Sequence, residues 1–301
     1  MSGELCAGRV VVITGAGNGL GRAHALAFAA QGAKVVVNDL GAGRDGDGAS
    51  KGPAQQVVDE IVAAGGEAVA NTDDISSWDG ARRLIAQAVE TFGGLDVLVN
   101  NAGILRDRMV VSMGERDWDS VIAVHLKGTF APLHHAAAYW REQVKAGRTP
   151  DARVINTTSP SGLFGSVGQS NYGAAKAGIA SMTIIAAAEL ARYGVTVNAV
   201  APTAMTRLTE DIEMMKQAAE STDLSPEAIS PLVVWLGSPE SKGVTGRVFG
   251  AMGNRITVLE GWVGGPSVDS GTRWDPASLT GVLPDLVAKA APNADGMGNR
   301  A

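Results

Sequence analysis

Residues 9–39 read RVVVITGAGNGLGRAHALAFAAQGAKVVVND, and the order of residue types in that stretch decides the fold. Val10, Val11, Val12 and Ile13 are a β-branched run, as expected of a parallel strand buried on both faces. Gly15, Gly17, Gly19 and Gly21 follow at once, and Leu20, Ala23, Leu26 and Ala27 then recur at helical spacing. A side chain in such a turn would block it, keep a pyrophosphate off the backbone N–H groups, or separate helix from strand. The free N–H groups and positive end of the new helix suit phosphate. Gly15, Gly17, Asn18, Gly19, Leu20 and Gly21 are therefore the expected phosphate-side residues of a dinucleotide site. Asp39 closes the second strand, where a carboxylate can accept both hydroxyls of an adenosine ribose.

The spacing is Gly15-x-x-x-Gly19-x-Gly21 after Thr14, not the G-x-G-x-x-G of most dinucleotide folds. TGAGNGLG in this setting resembles the short-chain dehydrogenase/reductase family. Farther along, strands and helices alternate, the pattern of a single doubly wound parallel sheet with helices on both faces, a Rossmann-like α/β fold. Helices are expected over residues 53–64, 78–92, 114–141 and 227–236, and from Tyr172 onward. Strands are expected at 67–71, 95–99, 153–157, 195–200 and 246–250. Asp73 and Asp74 end the third strand, where they would either border an adenine or cap the next helix. Residues 206–225 are polar, contain methionines and fit a flap over a substrate. Residues 1–263 are read as one catalytic and cofactor-binding domain, and 264–301, with prolines and glycines, as a poorly structured extension.

Composition narrows the partners. With 301 residues, 45% hydrophobic and 19% charged, the chain can bury a sizeable core. A net charge of -6 and a pI near 5.3 argue against nucleic acid or an anionic membrane. Cys6 is the only cysteine, so no internal disulfide can form. The start MSGELCAGR lacks a signal peptide's basic and apolar regions, no apolar run approaches the roughly 20 residues of a membrane span, and the end GNRA is not a peroxisomal tripeptide. A cytoplasmic protein acting on a small molecule is the expectation. His134 and His135 read as packing or interface residues, and no spacing of His, Cys or acids suggests a metal.

Asn100-Asn101-Ala102-Gly103 follows the fourth strand and is a second hallmark of the same family. Asn100 would tie strand ends and, with Ala102 and Gly103, border a cofactor. Thr158-Ser159 ends the fifth strand, at the sheet edge where ligands bind in open α/β folds. Lys176 lies four residues after Tyr172, one helical turn along the same face. Moving a hydride between an alcohol and a nicotinamide requires a proton to leave or join the oxygen. Tyr172 can carry it if its pKa, near 10 when free, falls toward neutral, and the Lys176 ammonium would favour the phenolate. Lys176 can also bond the nicotinamide ribose, and Ser159 can polarise the substrate oxygen.

The family resemblance covers about residues 8–262 and implies Ser159, Tyr172 and Lys176 as the catalytic set, with Pro202, Ala204 and Thr206 beside the cofactor. The family's usual asparagine in the middle of the long helix, which supports a proton-relay water, is His125 here in VHLKG. His125 could hold the same water, with a pH dependence near 6.5. The family's Pro-Gly after the sixth strand is Pro202-Thr203. EAVAN, NNAGILRDR, VHLKGTF, GQSNYGAAK and NAVAPTAMTRLT resemble more closely the (3R)-hydroxyacyl-CoA dehydrogenase unit found in peroxisomal multifunctional enzymes, a unit that also accepts 17β-hydroxysteroids. That likeness implies a hydroxyacyl-CoA or hydroxysteroid substrate and a homodimer or homotetramer. Asp39 points to NAD rather than NADP, against the alternative of an NADPH-linked 3-oxoacyl thioester reductase. A non-catalytic dinucleotide-binding protein remains the other alternative.

Overall fold

In the computed structural model, the described residues are 4–43, 45, 48, 52–206, 216–217 and 219–300. The valine-rich runs form β1 (Val10–Thr14) and β2 (Lys34–Asn38), which pair in parallel with Val10 opposite Lys34 and Thr14 opposite Asn38. Between them α1 (Gly19–Ala30) makes the crossover. The alternation continues through α2 (Gly52–Ala63), β3 (Glu67–Asn71), α3 (Trp78–Phe92) and β4 (Val97–Asn100). Local signals set the ends of α3: Ser77 Oγ accepts from Gly80 N–H at its start, and Gly93 closes it with φ of 84°.

The residues expected as one helix over 114–141 form two α-helices joined by a π turn. These are α4 (Glu115–Ile122), the π turn Ala123–Lys127, and α5 (Gly128–Lys145). Next come β5 (Ala152–Thr157), the short α6 (Pro160–Phe164), α7 (Ser170–Leu190) and β6 (Val195–Thr203). The chain ends with α8 (Ser230–Gly237), β7 (Val248–Met252), β8 (Arg255–Leu259) and α9 (Leu279–Lys289).

The eight strands form one sheet in the order β3-β2-β1-β4-β5-β6-β7-β8, parallel except for β8. Side chains of period two divide the core. Val11, Ile13, Val35, Val37, Val97 and Val99 face Phe28, Ile61 and Val233 of α1, α2 and α8. Val10, Val12, Val36 and Leu98 face Leu84, Leu133, Trp140 and Leu190 of α3, α5 and α7. Each fully buried Val or Ile contributes roughly 1.5–3 kcal/mol, so both faces are strongly driven. The fold is the Rossmann-like α/β sheet expected from the sequence. Strand order reverses between β1 and β4, which opens a crevice at their carboxyl ends.

Three expectations need correction. The sixth strand runs on past Val200 to Thr203, because β7 pairs with it as far as Thr203 opposite Met252. β5 has already ended at Thr157, so Pro202 interrupts no ladder on that side. The antiparallel β8 alternates Ile256 and Val258 with Arg255 and Thr257, but both apolar side chains are exposed and only Leu259 packs inward, and it was not anticipated. The extension holds a helix, α9, although none of its residues is buried. The helix Ser170–Tyr193, whose length and hydropathy would allow a membrane span, packs its Ala186, Ala187 and Leu190 into the core.

Candidate active site

The glycine turn between β1 and α1 is closed by contacts that leave no space for side chains. A Cβ on Gly15 would lie 2.6 Å from Ala102 Cα, and one on Gly21 would lie 2.2 Å from the Gly15 carbonyl oxygen. Gly15 also has φ of 62°, a region that favours glycine. α1 begins at exposed Asn18 with no side-chain cap and no acid in its first turn, so its N–H groups are left for an anion. Leu20 packs toward the core. Asp39 reaches this turn: Oδ2 accepts from Gly17 N–H at 2.8 Å and Oδ1 from Gly41 N–H at 2.7 Å. Each oxygen keeps a second lone pair for a ribose hydroxyl. A Cβ on Gly17 would meet both Asp39 and Pro53. Thr206 arrives from beyond β6, its side chain 3.7 Å from where a Gly19 Cβ would be. Ala204 beside it is buried and Pro202 half-buried. These residues fit a dinucleotide: a cradle without side chains, a free helix start and a fixed carboxylate. Half of the expected flap over 206–225, residues 207–215 and 218, lies outside the described residues.

The asparagines tie strand ends together. Asn100 Nδ2 donates to Asn156 Oδ1 at 2.9 Å, joining β4 to β5, and Asn156 Nδ2 donates to Thr183 Oγ1 on α7. Asn100 is 2% exposed, and its Oδ1 has no partner. Asn101 Nδ2 donates to the carbonyls of Thr14 and Gly15, and Thr14 Oγ1 accepts from the N–H groups of Asn101 and Ala102. Asp73 pairs with Arg83 and accepts from Asn71. Exposed Asp74 accepts from Ser76 N–H and Oγ in the turn before α3. Both acids thus have structural partners, but neither caps α3, whose N-cap is Ser77.

Ser159, Tyr172, Lys176 and His125 come together at the carboxyl ends of β4 and β5. Ser159 caps α6, its Oγ accepting from Ser161 N–H at 3.2 Å, and it also bonds the Tyr172 phenol. Lys176 Nζ donates to the Thr157 carbonyl at 2.6 Å and lies 5.5 Å from the Tyr172 ring centre. Thr158 Oγ1 donates to the Lys176 carbonyl at 2.7 Å, holding α7 to the end of β5. The His125 ring stands edge-on to Tyr172 with centroids 5.0 Å apart. Its Nε2 lies 3.1 Å from Ile104 N and 2.8 Å from Ile104 O, while Nδ1 is buried with no partner. Only Nδ1 is therefore free to hold a water. Sequence reasoning missed the π turn that presents this ring, the bonds made by Thr14 and Thr158, and Asn171 altogether. No spacing rule marks them, because each acts through hydrogen bonds to residues distant in the sequence.

The family model described as short chain dehydrogenase matches residues 9–217. The chain belongs to the short-chain dehydrogenase family. It is therefore an oxidoreductase acting on CH–OH groups, with a fold that binds a nicotinamide dinucleotide. A short-chain dehydrogenase from Mycobacterium avium has a similar crystal structure, 59% identical, with a TM-score of 0.87 over 97% of this chain and 98% of that one. The hydroxyacyl-CoA dehydrogenase ChsB1 of Mycobacterium tuberculosis is 45% identical over 95% of this chain and 90% of its own. The peroxisomal hydratase-dehydrogenase-epimerase of Saccharomyces cerevisiae is 48% identical over 80% of this chain, which spans 25% of that protein.

Burial dominates the electrostatics of Tyr172, Lys176 and His125. Burial pushes the Tyr172 phenol up to about 12; the Ser159 hydrogen bond draws it down, and the charge of Asp107 raises it. Burial pushes Lys176 down to about 7. The expected lowering of Tyr172 by Lys176 is thus absent in the protein alone, because desolvation outweighs a lysine that is itself only partly charged near neutrality. Burial, then the Lys176 charge, lowers His125 to about 3, against a smaller raising by the Ile104 backbone. A pH step near 6.5 from His125 is therefore not expected.

Proposed function

We propose that this short-chain dehydrogenase uses NAD to interconvert a secondary alcohol and a ketone on a (3R)-hydroxyacyl-CoA or hydroxysteroid-type substrate. The observation that carries the chemistry is the meeting of Ser159, Tyr172 and Lys176 beside a glycine cradle closed by Asp39. Bound oxidised nicotinamide supplies the hydride acceptor and a positive charge that favours the phenolate. Tyr172 takes the alcohol proton at its phenol oxygen in oxidation and returns it in reduction. Lys176, anchored on the Thr157 carbonyl, stabilises the phenolate when charged and orients the ribose. Ser159 donates to the substrate oxygen and draws the phenol pKa down. His125 stands edge-on to Tyr172, where its ring would hold a water of the proton path.

The substrate class rests on the naming of relatives: ChsB1 and the peroxisomal enzymes align over most of this chain. A second reading, 3-oxoacyl thioester reduction, has support from the 3-oxoacyl-[acyl-carrier-protein] reductase FabG of Thermotoga maritima, 36% identical over 83% of this chain and 98% of that one. Asp39 favours the first, since it would face the 2′-phosphate of NADP. Turnover of 3-hydroxyacyl-CoA, hydroxysteroid and 3-oxoacyl thioester panels with both dinucleotides separates them. Highest kcat/KM for thioester reduction with NADPH would overturn the first reading. No dinucleotide-dependent turnover on any of the panels would leave a non-catalytic binding protein.

A homodimer or homotetramer belongs to the same proposal. α5 and α7 leave Phe130, Ile184 and Ile185 about half exposed, and an isologous contact between copies would cover them.

A further inference from the structure

Asn171, the second residue of α7, is completely buried and precedes Tyr172. Every hydrogen-bonding direction of its carboxamide is occupied except one lone pair. Oδ1 accepts from Tyr172 N–H at 2.8 Å, one of the groups that a helix start leaves without an intrahelical partner. Nδ2 donates to the Arg106 carbonyl at 3.0 Å and to the Asp117 carbonyl at 3.0 Å. Arg106 lies in the segment between β4 and α4, and Asp117 lies in the first turn of α4. One planar side chain thus joins three backbone segments, and only a primary amide offers one acceptor and two donors in that arrangement.

Neighbouring contacts continue the seam. Gln169 Nε2 donates to Asp107 Oδ2 at 2.8 Å, and Arg108 N–H donates to the Gly168 carbonyl at 2.8 Å. Segment 104–108 is thereby docked along the turn that delivers the phenol. Its Ile104 backbone holds the His125 ring, and its Asp107 charge bears on Tyr172. A shift of this segment would change both neighbours of the phenol at once.

We propose that Asn171 is a positioning residue that holds segment 104–108 and the start of α4 at a fixed separation from Tyr172. This rests on Tyr172 being the proton-transfer group. Misplacing a reacting group by about 1 Å can cost on the order of a hundredfold in rate. Asn171→Ala removes all three bonds, whereas the Asn171→Ser hydroxyl can still accept from Tyr172 N–H and donate to one carbonyl.

The test compares wild type, Asn171→Ala and Asn171→Ser by kcat and KM per folded molecule, by the pH profile of kcat, and by NAD affinity from fluorescence quenching. Asn171→Ala should lower kcat about ten- to a hundredfold, leave NAD affinity within about twofold, and displace the acid limb of the profile. Asn171→Ser should recover part of that loss. Wild-type kcat and an unmoved profile in Asn171→Ala would overturn the proposal, as would a loss confined to folded fraction. If Asn171→Ala does not fold, Asn171→Ser decides alone: a lowered kcat with a displaced limb supports the role, and wild-type behaviour overturns it. A wild type that binds NAD yet turns over no alcohol would instead refute the reading of Tyr172 on which this one stands.

Discussion

Gly103 and His125 constrain each other's size, and a double-mutant cycle can measure that constraint. A Cβ on Gly103 would lie 2.4 Å from His125 Cε1, about 1 Å inside ordinary carbon–carbon contact. The ring cannot retreat easily. Nε2 is held at the Ile104 backbone, Tyr172 stands edge-on to the ring, and the residue is 2% exposed. Gly103→Ala should therefore destabilise by roughly 1–3 kcal/mol, the usual cost of adding a methyl group to a filled core. In a His125→Ala background the imidazole is gone and the same methyl group enters open space. There it should cost no more than about 0.5 kcal/mol, leaving a coupling energy of about 1–2 kcal/mol. Urea unfolding of the four proteins, compared at constant slope, gives the cycle directly. An equal cost for Gly103→Ala in both backgrounds would refute the reasoning.

The remaining predictions follow from other parts of the site. Asp39 is pinned by the N–H groups of Gly17 and Gly41 and cannot swing away from a 2′-phosphate; at about 4 Å and an effective dielectric near 20 the repulsion is about 4 kcal/mol, on the order of a thousandfold. NAD should exceed NADP by that order in kcat/KM and Asp39→Ser should narrow the ratio, whereas indifference in the wild type would sink the idea. Tyr172→Phe should cut kcat by about 10²–10⁴ while keeping NAD affinity, and retained turnover would remove the phenol from the chemistry. His24, bonded to Ser230, and His125 are both lowered to about 3 by burial. They bind fewer protons folded than unfolded, so their contribution is full above pH 6.5 and is lost as pH falls toward 3, by about 1.4 kcal/mol per pH unit for each. A urea midpoint constant between pH 7 and 4 would contradict this. Solution scattering at micromolar concentration should give a dimer or tetramer mass, and a strict monomer would exclude it.

Much of this was legible in the chain because the signals are local. The valine runs, the glycine turn and the helical spacing of Leu20, Ala23 and Ala27 each require only a few consecutive residues, and β1, α1 and β2 appear where those residues stand. Four residues separate Tyr172 from Lys176, and one helical turn converts that count into adjacency. Ser159 was placed by the rule for the carboxyl edge of the sheet. Features that depend on distant partners were not legible. Pro202 looked like a strand end, yet β7 carries β6 past it. The proton balance of Tyr172 and Lys176 follows from how deeply the finished fold desolvates both, which no spacing encodes.

The π turn at Ala123–Lys127 gives its helix a place where one residue can be added or removed. Beyond the turn, Leu133, Ala136 and Trp140 are clamped in the core; before it, α4 carries Asp117 toward Asn171. A π turn holds one more residue than the α-helical turn it replaces. Deleting one residue from it would restore plain α-helix with the two halves still nearly in phase, because the extra residue is absorbed within the wider turn. Such a deletion shortens no loop and leaves the hydrophobic spacing on either side intact. Length variation at this point therefore changes which side chains the turn presents without rotating α4 against α5 or rebuilding the sheet. A one-residue insertion or deletion would present the cleft with a different side chain in the place of His125.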